Sequence, residues 1–173
     1  IVGGENPTYQ HWAANPVPEP IAIRGIHSVV LGVRELDPTV DFLTGILGYQ
    51  RGSDYTSTEP NEGRGVVLTV NGGGAGRELV VVERTEAQYG FRAIGSVHHV
   101  ALAIAEDDAI EDWHARLVST GLKVTDIARR HYFDSVYVRI PGGILFELAT
   151  SSGALTIDED AAHLGERLTL PPF

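Results

Sequence analysis

The stretch G-S-V-H-H-V-A-L-A-I, Gly95–Ile104, decides how this chain folds. In an extended backbone, successive side chains point to opposite faces. His98 and His99 therefore face different surroundings, and His99 shares its face with Ala101 and Ala103. The alanines leave room there, whereas Val100, Leu102 and Ile104 fill the other face. The stretch has an earlier echo in I-H-S-V-V-L-G-V, Ile26–Val33. His27, Ser28 and Leu31 each stand 71 positions before His98, His99 and Leu102. The chain reads as a repeat.

Both copies continue in the same order. After the first strand, Asp37-Pro38 reads as a helix start, with Asp at the cap and Pro in the first turn. Val40, Leu43 and Leu47 form its apolar stripe, and Gly48 stops it. G-V-V-L-T-V (Gly65–Val70) and E-L-V-V-V-E (Glu78–Glu83) are two strands joined by a glycine-rich hairpin. In the second copy Asp107 or Asp108 caps a helix with Ile110, Trp113 and Leu117 on one face, ended by Gly121. L-K-V-T-D-I, F-D-S-V-Y-V-R-I and I-L-F-E-L-A-T then read as strands. The expected fold class is α+β: two βαβββ modules forming curved, mostly antiparallel sheet around a metal-containing cavity. The expected organisation is a linker-like, extended arm over 1–22, modules over 23–94 and 95–152, and a C-terminal tail over 153–173.

Composition excludes several functions. A formal charge of -10 with no basic run leaves nothing to neutralise nucleic-acid phosphates. The absence of cysteine removes disulfides, thiolate metal sites and cysteine nucleophiles, and fits a cytoplasmic setting. No apolar run approaches the about 18 residues of a membrane span. The chain opens on Ile1 and contains no methionine, as a processed or partial product would.

The last hairpin gives the sharpest geometric expectation. Pro141-Gly142-Gly143 reads as a turn, with Ile140 and Ile144 flanking a three-residue loop. That register sets Tyr137 directly opposite Glu147, with both on one face and Arg139 and Leu145 beside them. A carboxylate between Phe146 and Leu148 is costly unless it is paired, protonated or bound to a cation. Pairing with Arg139 diagonally across the hairpin is the plain alternative.

These residues carry a resemblance. The repeated unit, H-H-V-A-L and the closing G-G-I-L-F-E-L-A-T are similar to the vicinal oxygen chelate superfamily, which includes glyoxalases, extradiol dioxygenases and bleomycin-resistance proteins. R-R-H-Y-F-D-S-V-Y-V-R-I-P-G-G-I-L-F-E-L-A-T with D-E-D-A-A-H-L-G-E-R-L-T-L-P-P resembles the hydroquinone-type ring-cleaving dioxygenases. The similarity covers about residues 19–173. It implies Fe(II), with Mn(II) as the alternative metal, bound by two histidines and one carboxylate. The family's metal positions fall on His99 and Glu147. His98 and Arg130 match positions beside the pocket, and Tyr137 matches a tyrosine that bonds or protonates a substrate oxygen. His98, Tyr137 and Arg130 are thus the expected catalytic residues. The plainer readings are strand packing for Tyr137 and a surface charge for Arg130.

The chain also departs from the pattern. The position in the first repeat that corresponds to His99 is Ser28, and His27 is expected to face the helix layer as a packed or capped histidine. Only two of three ligands are present. Chains of the resembling family are about twice as long, and their third ligand comes from the N-terminal half. The implied partners are therefore an aromatic substrate, dioxygen and an N-terminal half, separate or cleaved, within an oligomer. A glyoxalase-like metalloenzyme and a ligand-sequestering protein of the bleomycin-resistance kind remain the competing classes. His11 and His163 lack a partner at metal spacing, His114 reads as solvent-facing on its helix, and His131 reads as a surface histidine.

Overall fold

The computed structural model describes residues 14–57, 59, 62–86, 93–105, 108–150 and 156–170. The chain divides into two compact units, Ile1–Gln88 and Tyr89–Phe173. His11, Asp107 and much of the expected N-terminal arm lie outside the described residues.

In the first unit, β1 (Ser28–Val33) leads into α1 (Leu36–Gly45), followed by β2 (Gln50–Thr56), β3 (Arg64–Thr69) and β4 (Glu78–Glu83). The sheet order is β1-β4-β3-β2, with β1 parallel to β4 and the other two pairs antiparallel. Alternation divides the faces. Leu31, Val33, Leu79, Val81, Val66 and Leu68 are buried on the side covered by Leu36, Val40 and Leu43 of α1. Ser28, Val30, Val80 and Val67 line the open side.

The second unit repeats the plan. It comprises β5 (Val100–Ala103), α2 (Ile110–Val118), β6 (Ala128–Arg129), β7 (Asp134–Arg139) and β8 (Leu145–Ala149), in the order β5-β8-β7-β6. Again one pair, β5 with β8, is parallel. Phe146, Leu148, Val136 and Val138 are buried on the face that takes Ile110 and Leu117 of α2. Neither sheet closes on itself among the described residues. The turn behaves as its residues dictate: the Ile140 N–H donates to the Ile144 carbonyl at 3.0 Å. Gly142 and Gly143 adopt φ of 92° and 84°, a region that side chains disfavour.

Several local expectations change. Helix α1 begins at Leu36 with Glu35 at its cap, so Asp37 lies inside the first turn. No side chain caps it from Glu35. Instead Glu83 reaches across from β4, accepting from the Leu36 N–H at 3.3 Å, while Arg64 bridges Glu83 and Asp37 at 3.3 and 2.7 Å. Helix α2 begins after Ala109, and Asp108 accepts from the Trp113 indole at 3.1 Å rather than capping. The expected strand over 122–127 is reduced to a bridge between Val124 and Val138, because the register slips before β6. Strand β2 has no counterpart among the expected elements: it is polar and almost wholly exposed, so it shows no apolar alternation. Residues Glu19–Ile21 form a short 3-10 turn where an extended arm was expected.

The Glu83 arrangement makes a prediction. A carboxylate at a helix N-terminus satisfies orphan N–H groups and is worth about 1 kcal/mol. Glu83→Ala should lower stability by about that amount, read as a drop in the urea midpoint. Asp37→Ala removes an exposed ion pair with Arg64 and a first-turn carboxylate that caps no N–H, and should cost less than Glu83→Ala.

Candidate metal centre

The ladder of the second unit brings the chemistry together. Tyr137 pairs with Glu147, and Glu147 pairs with Ala101 on its other side. Their side chains share the open face of the sheet with His99, two residues before Ala101. His99 Nε2 lies 2.8 Å from Glu147 Oε2, and the Tyr137 hydroxyl donates to Glu147 Oε1 at 2.5 Å. The Glu147 side chain is only 6% exposed, and that of His99 30%. The Tyr137 ring meets the His99 imidazole edge-on, with centroids 5.6 Å apart. Arg139 is not the partner of Glu147. It bends back along the hairpin and donates to the Gly143 carbonyl at 2.5 Å, which removes the plain alternative.

His98 reaches the group through its neighbour: its Nδ1 lies 2.8 Å from His99 Nδ1. One ring must donate and the other accept, so the pair fixes one tautomer at a time. When His99 donates through Nδ1, its Nε2 offers a lone pair beside Glu147, as a metal-ligating histidine requires. Arg130 sits in the turn between β6 and β7, its guanidinium 5.8 Å from the Phe133 ring centre. Burial raises the Tyr137 pKa above the usual phenol value, and the hydrogen bond and charge of Glu147 raise it further. The Arg130 charge opposes that rise.

The donor set fits a borderline transition metal. An imidazole nitrogen and a carboxylate oxygen suit iron, manganese or zinc. Two adjacent ligands at about 2.1 Å from one octahedral ion stand roughly 3 Å apart. The observed separation of His99 from Glu147 is close to that. Among the described residues no group of three or more His, Asp or Glu side chains is arranged so that it could hold a metal ion. An imidazole and a carboxylate are two of the three donor types of a facial triad.

The first unit lacks the same chemistry. By register, Ser28, Val80 and Val67 occupy the places of His99, Glu147 and Tyr137. His27 is not a packed histidine but half-exposed, in a loose 3.8 Å pair with Glu78. His114 is half-buried on α2.

The sequence reading missed two groups near the site. Asp158 of the C-terminal segment accepts from the Tyr132 hydroxyl at 2.6 Å and lies 3.5 Å from His131 Nε2, tying that segment to the turn that carries Arg130. The Tyr132 hydrogen bond holds the Asp158 carboxyl below its ordinary pKa. The other is Ser135, buried on β7. Only the D-E-D run hinted at the first, and nothing at the second.

Two βαβββ modules, each a mixed four-stranded sheet with one face under a helix and the other open, define an α+β protein of the glyoxalase type. The chain belongs to the Glyoxalase/Bleomycin resistance protein/Dioxygenase superfamily, whose family model matches residues 25–148. It is 37% identical over 159 residues to a Bacillus subtilis protein named a ring-cleaving dioxygenase, MhqA, covering 91% of this chain and 49% of that one. It is 30% identical over 169 residues to chlorohydroquinone/hydroquinone 1,2-dioxygenase of Sphingobium indicum, covering 95% of this chain and 50% of that one. A solved Bacillus subtilis structure, titled as a dioxygenase, superposes with a TM-score of 0.65 at 30% identity, covering 82% of this chain and 43% of that one. The fold is shared by FosX of Listeria monocytogenes, solved as a mutant complexed with Mn(II), at a TM-score of 0.59 and 18% identity. That alignment covers 80% of this chain and all of that one, at 100%. The chain spans about half the length of the curated relatives it matches. Among the described residues, no helix is long and apolar enough to cross a membrane.

Proposed function

We propose that this chain is the metal-bearing half of a non-haem Fe(II) ring-cleaving dioxygenase acting on hydroquinone-type or catecholic rings. His99 and Glu147 hold the metal, and an N-terminal half supplies the third ligand. The observation that carries this reading is the 2.8 Å approach of His99 Nε2 to a carboxylate buried on the open face. A buried carboxylate costs several kcal/mol to desolvate, and a fold retains one where a cation or a donor offsets that cost. The names of the dioxygenase relatives, and their double length, support the same reading.

Bound Fe(II) would supply coordination positions at which a ring oxygen and dioxygen meet, and a path for electrons between them. The protein groups do the rest. Tyr137, whose one O–H donates to Glu147 here, would turn that proton to a ring oxygen once a cation takes up the Glu147 lone pair, fixing the ring against the dyad. A phenol keeps its proton at neutral pH. His98, coupled to His99 through Nδ1, is the group placed to pass a proton at the rim. Arg130 adds positive charge beside the phenol, favouring an anionic ring oxygen. Ser28 and Val80 argue against the glyoxalase alternative, in which both modules contribute ligands.

The test is an anaerobic Fe(II) titration of the chain alone and of the chain co-produced with the N-terminal half of MhqA. The chain alone should bind weakly, and the pair tightly, with hydroquinone-dependent oxygen uptake. Stoichiometric tight binding by the chain alone would refute the half-enzyme reading. Tight binding by the pair without oxygen uptake on any dihydroxylated ring would refute the dioxygenase reading.

A further inference from the structure

The D-E-D-A-A-H-L-G-E-R run over Asp158–Arg167 takes no part in the dyad, and it folds into a closed clip. Glu159 turns its carboxylate inward, accepting from the Gly165 N–H at 2.7 Å and the Arg167 N–H at 3.3 Å. Arg167 crosses back, its guanidinium 3.5 Å from Glu159 and donating to the Asp158 carbonyl at 2.6 Å. Asp160 accepts from the Ala162 N–H at 2.9 Å. Of the three carboxylates that open the run, Asp158 is the one aimed out of the clip. It accepts from the Tyr132 hydroxyl at 2.6 Å, the length of a charge-assisted bond, and stands 3.5 Å from His131 Nε2. The Tyr132 ring lies against the same segment, on a cavity wall shared with Leu164 and Leu168.

His131 and Tyr132 are the two residues of the turn between β6 and β7, closed by the Arg130 N–H donating to the Phe133 carbonyl at 3.1 Å. Register decides where its flanks point. Phe133 stands four residues before Tyr137 and so shares the open face. Ala128, paired with Ser135, lies on that face too, and alternation brings Arg130 there two residues later. The Arg130 guanidinium accordingly rides over the Phe133 ring, 5.8 Å from its centre. Arg129 takes the other side, bridging Glu111 of α2 and Asp134. Strand β6 forms the edge of the sheet and pairs with β7 through two residues, so the ladder gives the turn little hold. We infer that Asp158 is a positioning residue: by accepting from Tyr132 it pins the β6–β7 turn, and so keeps the Arg130 guanidinium on the face where a ring oxygen would bind. The kinetic consequence rests on the proposed dioxygenase function; the hold on the turn does not.

Tyr132→Phe is the sparing test, since it keeps the ring against the clip and removes the hydroxyl alone. In the full chain, the Arg130 amide should exchange its hydrogen about tenfold faster in Tyr132→Phe and in Asp158→Ala, the effect of one lost bond to a charged group. Amides of the β7–β8 ladder should keep their rates. Asp158→Asn retains an accepting oxygen and should restore most of the protection. In the enzyme assembled with its N-terminal half, Tyr132→Phe and Asp158→Ala should move the acidic limb of the kcat/KM profile to higher pH by about one unit, because a nearby cation lowers the pKa of an ionising ring hydroxyl. A merely loosened edge would scale that profile without moving it. In an Arg130→Ala background, Tyr132→Phe should add no further shift, as expected of residues that act through each other. Unchanged Arg130 exchange in both variants would overturn the proposal. Faster exchange with an unmoved acidic limb, or a limb that Tyr132→Phe moves as far in the Arg130→Ala background, would overturn it as well. Should the wild-type enzyme cleave no ring, the proposed function fails while the exchange still decides whether Asp158 pins the turn.

Discussion

Glu147→Gln should weaken metal binding by more than about 100-fold, the upper end of what losing even an outer partner of a metal site costs. The substitution keeps the shape of the side chain and removes its charge. The amide oxygen still accepts from Tyr137, so the ladder around Val136, Val138 and Phe146 has no reason to move. What changes is the face toward His99. There an amide N–H₂ replaces an anionic oxygen 2.8 Å from the imidazole nitrogen, and two donors now compete for the space of a cation. Mn(II) is the convenient probe, because the free ion has an electron paramagnetic resonance signal that binding suppresses. The variant should leave that signal undiminished at concentrations where the wild type quenches it, in the chain alone and in the assembled pair. Glu111→Gln is the control: Glu111 is an exposed partner of Arg129, on α2 rather than on the open face, and its loss should leave Mn(II) binding unchanged. Wild-type affinity in Glu147→Gln would remove the dyad from consideration as a metal site.

The expected loss is large because the dyad is built by register, and that part of the molecule is legible in the sequence. A three-residue turn at Pro141-Gly142-Gly143 admits one pairing of its strands, and that pairing alone puts Tyr137 against Glu147. Alternation then chooses His99 over His98, and the parallel neighbour β5 sets Ala101 beside Glu147, so that His99 overhangs the carboxylate. Each step is short-range or follows from a period of two residues. The features that sequence does not reveal depend on contacts between distant segments. Glu83 caps a helix 47 positions away, and Asp158 ties Tyr132 to the tail across 26. The strand β2 has no buried face to impose a pattern, and the edge beside β7 slips register between Val124 and Ala128 without any proline or glycine to announce it. Ser135 reads in sequence as an ordinary strand residue.

Tyr137→Phe should lower kcat by about 100-fold or more, within the range that a positioned proton donor contributes, while metal affinity falls by far less. The two effects separate because the hydroxyl touches the site from one side only. It donates to Glu147 Oε1, and His99 approaches Oε2, so removing the phenolic oxygen leaves the imidazole–carboxylate edge intact. The ring itself still packs edge-on against His99, at 5.6 Å between centroids, so the imidazole keeps its orientation. Glu147 loses one donor. Loss of an outer partner weakens a metal site by about 10-fold to 100-fold, and here the cation can take up the freed lone pair, which favours the lower figure. Proton donation has no such substitute. His98, bonded through Nδ1 to the adjacent His99, serves the rim of the site rather than the ring oxygen, and Arg130 cannot release a proton at neutral pH. Metal content and turnover measured on one preparation test the separation. Parallel losses in both would mean that Tyr137 serves the carboxylate rather than the ring. Unchanged turnover would mean that the phenol is strand packing, and the ring oxygen would then have to find its donor on the other half of the enzyme.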